Sequence, residues 1–561
     1  MARTKRKRRE EIVGLGRERF GFEELHPGQL EAIEAVLDGQ DTLAIMPTGA
    51  GKSAIYQIAD LMLDGPTVII SPLIALQHDQ AEAIEANDLG EAAEVNSAAG
   101  KAARKEAFAE LAEHELEFLF IAPEQFNNPK VLERLRAAKP SLVVVDEAHA
   151  VSEWGHDFRP EYLRVGAVTE AIGRPPILAL TATASPLIRD DVLRHLHMKD
   201  PKVISSGFDR PNIFLSVEKF QDESAKREAV FDRVTAAEKP GIVYAATHRH
   251  VEELAENLRK TGAKVGAYHG GLSSGERTAT QDAFMNDDLE VIVATNAFGL
   301  GIDKRNVRFV YHYDVSDSLD SYYQEIGRAG RDEEPAEAVL FYRGEDLGLR
   351  HFFAGIGKVD VEQVEKVEEA IDRHEEPLDL KELHEATGLS KAKVVSAVTN
   401  LEEVGAVETL ATGEIVADET PESRHDLAEE AVEIEERHRE LEQSRLEMMR
   451  GYAEVYDCRR GYLLNYFGEP LAEPCGFCDN CRAGITVAED TSRQPFPLNS
   501  RVSHAVWGEG QVQRYEGDTM TVAFDEVGYK TLDVDFVVES GALKGEGEDT
   551  PGPLRHPYRA R

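Results

Sequence analysis

The sequence predicts an α/β protein built from two tandem, doubly wound parallel-sheet lobes, followed by three smaller modules. Two series of short apolar runs alternate with helix-length segments, the first between residues 41 and 206 and the second between residues 212 and 342. This alternation is typical of repeated βαβ units, whose strands are buried on both faces of the sheet. After residue 500 the apolar runs become short and alternating, which indicates a small β-barrel.

Composition limits the class of protein. The chain has 561 residues, enough for about four domains, and a hydrophobic fraction of 42% that supports buried cores. No apolar run reaches about 18 residues and no signal peptide leads the chain, so we expect a soluble, cytoplasmic protein without a membrane partner. The net charge of −41 is unexpected for a protein that binds phosphate backbones, although a local groove can be basic on an acidic protein. Residues 1–13 are a basic N-terminal arm, for which contact with nucleic acid and a solvated tail are open alternatives.

A glycine-rich turn, Met46-Pro-Thr-Gly-Ala-Gly-Lys-Ser53, separates an apolar strand at 41–45 from a predicted helix at 52–63. Glycines let the backbone N–H groups of such a turn point inward, and the helix N-terminus adds a positive dipole end, so the turn suits phosphate. The pattern predicts that Lys52 reaches the β- and γ-phosphates of a nucleotide and that Ser53 binds Mg²⁺. The first glycine of the strict pattern is replaced by methionine. The backbone groups expected around the phosphates belong to Thr48, Gly49, Ala50 and Gly51.

Two adjacent acids follow one predicted strand of the first lobe. The strand candidates of this lobe are 41–45, 67–71, 118–121, 142–145 and 177–180. Asp146 and Glu147 come directly after the fourth of these strands, where Asp146 can hold Mg²⁺ and Glu147 can polarise an attacking water. Together with a Gly-Lys-Ser loop, the two acids indicate hydrolysis of a nucleoside triphosphate.

The second lobe has no phosphate loop but ends in an arginine-rich segment, Gln324-Glu-Ile-Gly-Arg-Ala-Gly-Arg-Asp332. Arg328 and Arg331 are three residues apart, which predicts that both project from one helical face into a cleft. Guanidinium groups stabilise charge on a transferring phosphoryl group, so the second lobe is expected to close on nucleotide held by the first. The predicted strands of the second lobe are 212–216, 241–244, 291–294, 309–311 and 338–342.

With these motifs the chain resembles the RecQ family of DNA helicases in superfamily 2. The resemblance implies two RecA-like lobes, at 14–207 and 208–345, and ATP-driven 3′-to-5′ translocation that unwinds DNA in recombination and repair. It also implies that Gln29 reads adenine, which suits an amide that can donate and accept hydrogen bonds at once. Further motifs that carry the resemblance lie at 20–21, 71–76, 121–124, 180–184, 268–271 and 294–303.

The specific marker of the family is an aromatic-rich loop, Ser152-Glu-Trp-Gly-His-Asp-Phe-Arg-Pro160, just after the acidic pair. In the family this loop senses single-stranded DNA and couples it to hydrolysis. Aromatic faces stack on bases with about 1–3 kcal/mol per base, although Trp154 could instead be a core residue. The resemblance implies coupling roles for His149, Trp154, His156, Phe158, Arg159, Thr181 and Thr183.

Residues 346–420 show winged-helix patterning, with helices at 361–373, 378–387 and 389–401 and a wing through 415–417. In most RecQ proteins the winged helix follows the zinc module, whereas here it precedes that module. The recognition-type helix carries Lys391 and Lys393 between acidic flanks, so binding to DNA and packing against protein are both left open.

A module at 421–485 combines a predicted long acidic helix at 421–442 with four cysteines. Four thiolates suit tetrahedral zinc, but a Cys-x-x-Cys-x-x-Cys run also occurs in iron–sulfur ligation. The resemblance to the RecQ zinc module, including Tyr466-Phe-Gly-Glu469, implies structural Zn²⁺. The expected ligands are Cys458, Cys475, Cys478 and Cys481.

A linker at 486–497 leads to a small Tudor-like β-barrel at 498–542, and a disordered tail is expected at 543–561. The barrel sequence resembles the one that ends UvrD/PcrA-type helicases, which implies docking on a protein partner such as RNA polymerase. Its acidic composition argues against a phosphate backbone, and Trp507 is the expected interface anchor. The alternative is a cap that stabilises the zinc module.

The expected function is an ATP-dependent DNA helicase that acts on single-stranded and forked duplex DNA in the cytoplasm, at the nucleoid. It would use Mg²⁺ with ATP and a structural Zn²⁺. Two alternatives are an RNA helicase or translocase that does not separate strands, and a DNA-binding regulator that uses ATP as a switch. The aromatic loop and the zinc module favour DNA over RNA.

Overall fold

The computed structural model describes residues 2–72, 74–96, 99–113, 115–152, 159–299, 302, 304–348, 358–374, 377–409, 414–417, 424–485 and 494–545. Two parallel sheets, a helical region with the cysteines and a C-terminal antiparallel sheet confirm the predicted fold class. Among the helices of these residues, none is both long and apolar enough to cross a membrane. The predicted linker lies outside the described residues at 486–493, and so does the predicted tail from 546 onward. The first residues expected in the tail, Leu543–Gly545, instead form a strand.

The first lobe places its motifs at neighbouring strand ends. Its strands are β1 (Thr42–Ile45), β2 (Thr67–Ile70), β3 (Ala92–Val95), β4 (Phe118–Ile121), β5 (Leu142–Val145), β6 (Ile177–Thr181) and β7 (Lys202–Ser205). Within the described residues they form a parallel sheet in the order β3-β4-β2-β5-β6-β1-β7. Because β5, β6 and β1 are adjacent, their carboxyl ends bring Asp146, Thr181 and the glycine-rich turn to one edge.

Helices cover both faces of this sheet, as expected for strands that are buried throughout. They are α1 (Ala2–Phe20), α2 (Gln29–Leu37), α3 (Lys52–Asp60), α4 (Ile74–Ala86), α5 (Lys101–Glu113), α6 (Pro129–Ala138), α7 (Val165–Ala171) and α8 (Pro186–His195). Short 3₁₀ helices occupy Pro123–Asn127, Ala148–Val151 and Pro160–Arg164.

The predicted basic arm is part of helix α1. Ile12 on this helix is fully buried in the apolar cluster of the first lobe. Arg8 donates to Asp38 at 2.7 Å and Arg9 donates to Glu34 at 3.0 Å. Part of the positive charge of the arm is therefore paired with acids of the first lobe.

The second lobe repeats the arrangement without a phosphate loop. Its strands are β8 (Ile213–Lys219), β9 (Gly241–Tyr244), β10 (Val265–Tyr268), β11 (Val291–Ala294), β12 (Phe309–His312) and β13 (Ala336–Tyr342). In the described part of the chain they form a parallel sheet in the order β10-β11-β9-β12-β13-β8. Its helices are α9 (Glu223–Ala236), α10 (His248–Lys260), α11 (Ser274–Met285) and α12 (Leu319–Ile326), followed by a 3₁₀ turn at Gly344–Asp346.

Three strands that the apolar pattern did not predict are β3, β7 and β10. All three lie at an edge of their sheet. An edge strand has a neighbour on one side only, so it can be short and partly exposed, as β3 and β7 are. β3 and β7 therefore lack the continuous apolar run that marks a central parallel strand, and in β10 Gly266 interrupts that run.

The remaining elements form a helical region and a final sheet. They are α13 (Val361–Asp372), α14 (Leu380–Thr387), α15 (Lys391–Glu403), β14 (Val407–Thr409), β15 (Ile415–Ala417), α16 (Arg424–Glu454), α17 (Arg459–Tyr466), α18 (Asp479–Arg482), β16 (Arg501–His504), β17 (Gly508–Glu516), β18 (Thr519–Phe524), β19 (Gly528–Asp533), α19 (Val534–Ser540) and β20 (Leu543–Gly545). The last five strands pair antiparallel in the order β19-β18-β17-β16-β20. The predicted acidic helix is longer than expected, since α16 continues through Glu454. One continuous apolar cluster runs from the first lobe through the second lobe to α16 and α17.

Candidate active site and metal centre

The glycine-rich turn has the backbone that phosphate binding requires. Gly49 and Gly51 have φ values of 84° and 69°, which glycine adopts without the steric cost of a Cβ atom. The Lys52 ammonium donates to the carbonyl oxygen of Met46 at 3.2 Å, so its side chain folds back along the turn. Burial lowers the pKa of Lys52, while the carboxylates of Glu147 and Asp146 counteract this shift. The turn, the lysine and both acids thus form one site.

The acidic pair lies at the end of β5 beside Lys52. Burial raises the pKa of Asp146, and Lys52 opposes that rise. The N–H of Glu147 donates to Asp146 Oδ1 at 3.0 Å. Asp146 is 7% exposed, and a carboxylate is a ligand that Mg²⁺ prefers, so Asp146 fits a magnesium site. The contribution of Ser53 to this site stays a prediction.

Glu147 is held in an uncommon conformation next to a histidine. Its φ of 47° lies in the left-handed region, which non-glycine residues seldom adopt. His149 Nδ1 lies 3.4 Å from Glu147 Oε2 and 3.1 Å from the Thr181 hydroxyl. The Thr181 hydroxyl in turn donates to the carbonyl oxygen of Thr183 at 2.8 Å. His149 therefore connects the acid of β5 to the end of β6.

Gln29 holds the phosphate loop through hydrogen bonds to the loop backbone. Its side chain is fully buried. Its amide oxygen accepts the N–H of His26 at 2.7 Å, and its amide nitrogen donates to the carbonyl oxygens of Ala50 at 3.0 Å and Gly51 at 2.8 Å. The adenine contact of Gln29 stays a prediction, and bracing of the loop is a role that the sequence did not indicate.

The two arginines lie beyond a helix and not on it. Helix α12 ends at Ile326, and Arg328 and Arg331 follow in the turns after it, so the prediction that they share a helical face is wrong. Gly330 has a φ of 56°, and a Cβ atom there would lie 2.4 Å from Asn212 Nδ2, which explains the requirement for glycine.

Arg331 nevertheless reaches the cleft between the lobes, while Arg328 bonds within the second lobe. Arg331 donates to the carbonyl oxygen of Ile302 at 2.7 Å, and a Cβ atom on Gly49 would lie 3.1 Å from Arg331 Cδ. Arg328 is 5% exposed and donates to the carbonyl oxygen of Gly299. The Arg331 side chain of the second lobe is therefore in contact range of the phosphate loop of the first.

Two further residues support the arginine segment, and sequence reasoning missed them. Arg210 donates to the carbonyl oxygens of Gly327, Ala329 and Gly330, and Asn212 donates to that of Gly330 at 2.8 Å. Both lie in the connector between the two sheets. A single arginine or asparagine outside a motif carries no local signal of such a contact.

The coupling residues are only partly described. Trp154, His156 and Phe158 lie outside the described residues. Arg159, at the end of that loop, donates to the carbonyl oxygen of Pro72 at 3.2 Å, which ties the loop to the segment after β2. Thr181 and Thr183 are fully buried.

The four cysteines converge on one point. The sulfur atoms of Cys458, Cys475, Cys478 and Cys481 all lie within 4.8 Å of one another. Backbone N–H groups donate to three of these sulfurs, at 3.3 to 3.4 Å, which suits thiolates. Four sulfur ligands fill a tetrahedral zinc site, so the donor set fits a structural metal without an open position for water.

The C-terminal sheet packs on the zinc module. The ring of Tyr529 lies 5.7 Å from that of Tyr466, and the Arg514 guanidinium lies 3.9 Å from the ring centroid of Tyr462. Gly528 is so close to α16 that a Cβ atom there would lie 2.3 Å from the Ser444 hydroxyl. Trp507 stacks on His504 of the same sheet at 4.2 Å. The contacts of Tyr529, Arg514 and Gly528 support the alternative in which the sheet caps the zinc module.

The segment with winged-helix patterning folds into α13, α14 and α15 and a β14–β15 hairpin around its own apolar cluster. Lys393 of the recognition-type helix donates to Gln363 Oε1 at 2.7 Å, so this base has a partner within the module.

Four family models match the chain. They are a DEAD/DEAH box helicase model at residues 26–190, a helicase conserved C-terminal domain at 225–333, an IclR helix-turn-helix domain at 369–411 and a RecQ zinc-binding model at 422–482. The RecQ zinc-binding model favours zinc over an iron–sulfur cluster at the four cysteines.

A solved structure of Mss116p bound to ssRNA and AMP-PNP shares the fold. It has a TM-score of 0.50 at 18% identity and covers 70% of this chain and 81% of that one.

Curated relatives carry helicase names. The ATP-dependent DNA helicase RecQ of Pasteurella multocida is 38% identical over 463 residues, which cover 82% of this chain and 61% of the relative. The protein named "Probable ATP-dependent DNA helicase RecS" of Bacillus subtilis is 40% identical over 358 residues, which cover 64% of this chain and 72% of the relative. This chain thus spans about three fifths of the Pasteurella relative and 72% of the Bacillus one. The chain belongs to the RecQ family of helicases.

Proposed function

We propose that this chain is an ATP-dependent DNA helicase that couples ATP hydrolysis to 3′-to-5′ translocation and to the unwinding of duplex DNA. The observation that carries the proposal is the approach of Arg331 in the second lobe to Gly49 of the phosphate loop in the first. A nucleotide bound at this loop would contact both lobes. Hydrolysis of the nucleotide would then change the contacts between the two lobes. A motor requires such a change of contacts in each cycle of hydrolysis.

The first lobe supplies the binding groups. The N–H groups of the glycine-rich turn and the α3 N-terminus cradle the phosphates, and Lys52 moves from the Met46 carbonyl oxygen to the phosphate oxygens. Ser53 and Asp146 would hold Mg²⁺, which neutralises charge on the β- and γ-phosphates when bound. Burial of Lys52 and Asp146 strengthens the electrostatic interactions of both with the substrate.

Glu147 is the group that orients the attacking water. It is half-buried at the end of β5 and is flanked by His149, whose contact with Thr181 fixes its own position. Arg331 and Arg328 approach from the second lobe and stabilise the charge that develops on the transferring phosphoryl group. The reaction is therefore complete only when both lobes meet.

DNA is the proposed track because the curated relatives are named as DNA helicases. The aromatic loop at 152–160 begins and ends beside this site, and Arg159 ties it to Pro72. A protein that uses such a loop in recombination and repair would work at the nucleoid. Single-stranded and forked DNA are the substrates that the family resemblance implies.

The test is a steady-state ATPase assay with single-stranded DNA, with single-stranded RNA and without nucleic acid. We expect strong stimulation by DNA, together with displacement of a strand from forks that carry a 3′ tail and not from those with a 5′ tail. Glu147→Gln serves as the inactive control in both assays. Equal stimulation by RNA, stimulation without strand displacement, or no stimulation at all would contradict the proposal.

We also propose that the outer surface of the C-terminal sheet contacts a protein partner, with RNA polymerase as the partner implied by resemblance to the UvrD/PcrA barrel. Val506, in the turn between β16 and β17, is 62% exposed, and Phe536, on α19, is 47% exposed. Tyr529 and Arg514 of the same sheet face the zinc module. A Val506→Ser, Phe536→Ser double variant should keep its melting temperature and ATPase activity but lose binding to purified RNA polymerase. Unchanged binding, or none by the parent chain, would refute this proposal.

A further inference from the structure

The connector between the two sheets, residues 206–212, is held by side chains from other modules. Phe208 is 2% exposed. Its N–H donates to Glu469 Oε2 of the zinc module at 2.7 Å, and its carbonyl oxygen accepts the Tyr323 hydroxyl of α12 at 2.7 Å. The next residue, Asp209, accepts a hydrogen bond from Arg460 of α17. The zinc module and the second lobe thus hold the backbone of the connector by hydrogen bonds, in place of water.

The ring of Phe208 extends this junction to the first lobe. It stacks on Phe467 with ring centroids 4.5 Å apart and an interplanar angle of 9°. The guanidinium of Arg189, on α8, lies 5.7 Å from the Phe208 ring. Arg189 also donates to the carbonyl oxygen of Phe467 at 2.7 Å and to that of Ala184, just after Thr183, at 3.0 Å. First lobe, connector and zinc module therefore meet at Phe208.

Arg210, two residues after Phe208, contacts the arginine segment at 327–331. Its guanidinium donates to the carbonyl oxygens of Gly327 at 3.0 Å, Ala329 at 2.8 Å and Gly330 at 3.0 Å. These three carbonyl groups surround Arg328 and immediately precede Arg331 in the chain. Arg210 reaches these acceptors with two guanidinium nitrogens held in one plane, a geometry that the single ammonium nitrogen of a lysine does not reproduce.

We infer that Arg210 is a positioning residue for Arg328 and Arg331, and that the Phe467–Glu469 turn of the zinc module holds Arg210 in place through Phe208. The inference rests on the proposed ATP hydrolysis and adds a role for the zinc module within it. The turn fixes Phe208 by one hydrogen bond and one stacked ring, and the chain from Phe208 to Arg210 is too short to move independently. The zinc module therefore acts on ATP turnover through the connector, apart from any contact of its own with DNA.

The effect on turnover is set by displacement of the arginines. Loss of the three hydrogen bonds of Arg210 loosens the segment after α12, because Asn212 then holds it only at Gly330 and Glu334. A displacement of the arginines by about 1 Å can cost on the order of 100-fold in rate. Nucleotide binding depends on Lys52 and the glycine-rich turn of the first lobe, which Arg210 does not contact in the described structure. The signature of a positioning role is thus a loss in kcat with little change in nucleotide affinity.

The experiment compares full-length Arg210→Ala, Arg210→Lys, Glu469→Ala and Glu469→Gln with the parent chain. Arg233→Ala is the matched control, because Arg233 also pairs within the second lobe, with Glu218 at 3.0 Å and Glu337 at 2.8 Å, but contacts no part of the arginine segment in these pairs. The measurements are kcat and KM for ATP with single-stranded DNA, affinity for a non-hydrolysable ATP analogue, zinc content, melting temperature and amide hydrogen exchange.

We expect both Arg210 variants and Glu469→Ala to lose on the order of 10- to 100-fold in kcat, with analogue affinity and zinc content within about twofold of the parent. Glu469→Gln should recover most of the rate, because its amide oxygen can still accept the Phe208 N–H. Arg233→Ala should keep kcat. Amide exchange at 327–331 should become faster in Arg210→Ala.

Parental kcat in Arg210→Ala, or an equal loss in the Arg233→Ala control, would overturn the inference. So would a loss of rate that parallels a loss of zinc or of melting temperature, since that marks a general structural role. If the parent chain hydrolyses no ATP, the proposed function fails, but amide exchange at 327–331 in Arg210→Ala and Glu469→Ala still tests the junction. Unchanged exchange in both variants would refute it on its own.

Discussion

Asp60 at the end of α3 offers a test of how the burial of a carboxyl group changes the stability of the nucleotide-binding lobe with pH. Its carboxyl group is 6% exposed and accepts a hydrogen bond from the Thr67 hydroxyl at 2.6 Å. Burial raises the pKa of Asp60 from its usual 3.8 to about 7, and the Thr67 hydrogen bond only partly offsets this rise. Replacement by Asn removes the charge and keeps an oxygen that can accept from Thr67.

The sign of the effect follows from proton linkage. The native state binds the Asp60 proton more tightly than the unfolded state, so the stability that the neutral carboxyl provides is present below pH 4 and is lost as pH rises to about 7. The two pKa values differ by about three pH units, and each unit corresponds to about 1.4 kcal/mol, so the ionised carboxyl costs up to about 4 kcal/mol above pH 7. Asp60→Asn should therefore be more stable than the parent at pH 8 and equal to it near pH 4.

The assay is thermal unfolding of the full chain at pH 4.5, 6 and 8, followed by circular dichroism. A gain of 1 kcal/mol raises the melting temperature of a lobe of this size by about 2–4 °C, so a shift of several degrees is expected at pH 8. Asp64→Asn is the control, because Asp64 lies four residues along the chain and is exposed. A shift at pH 8 no larger than that of the control, or a shift that does not shrink toward pH 4.5, would refute the reasoning.

Four other changes test the site and its surroundings. Glu147→Gln should bind ATP with parental affinity but lose several kcal/mol of transition-state stabilisation, about 10²-fold or more in kcat; near-parental turnover would exclude Glu147 as the group that orients water. Trp154→Ala should leave ATP binding intact and reduce stimulation by single-stranded DNA, so unchanged stimulation would make Trp154 a core residue. Cys475→Ser should release the metal and lower the melting temperature, because metal-binding energy is folding energy in such modules; elemental analysis of the parent should find about one zinc per chain, and iron would contradict the assignment. Removal of residues 494–561 should lower the melting temperature, because Tyr466 and Tyr462 lose the packing of Tyr529 and Arg514; an unchanged melting temperature would argue against a cap.

Local patterns in the sequence were enough for much of the fold and for the central part of the site. A continuous apolar run predicts a central parallel strand because such a strand is buried on both faces, and the runs at 118–121 and 142–145 coincide with β4 and β5. The glycine-rich turn, the acids after β5 and the four cysteines were found because their chemistry needs specific residues at short spacing. The turn and the acids each lie within about ten residues of chain, and the four cysteines lie within the single segment 458–481.

The tertiary structure alone decided what depends on contacts between distant residues. It ended α12 before Arg328, brought Arg331 to Gly49, and gave Gln29 backbone partners in the phosphate loop. The edge strands β3 and β7 lack a continuous apolar run because they are partly exposed, and Gly266 interrupts the apolar run of β10. The hydrogen bond from the Phe208 N–H to Glu469 joins residues about 260 positions apart along the chain. No periodicity or motif encodes such a pair. The sequence specifies these contacts only through the packing of the whole chain, because their energy depends on groups that folding alone brings together.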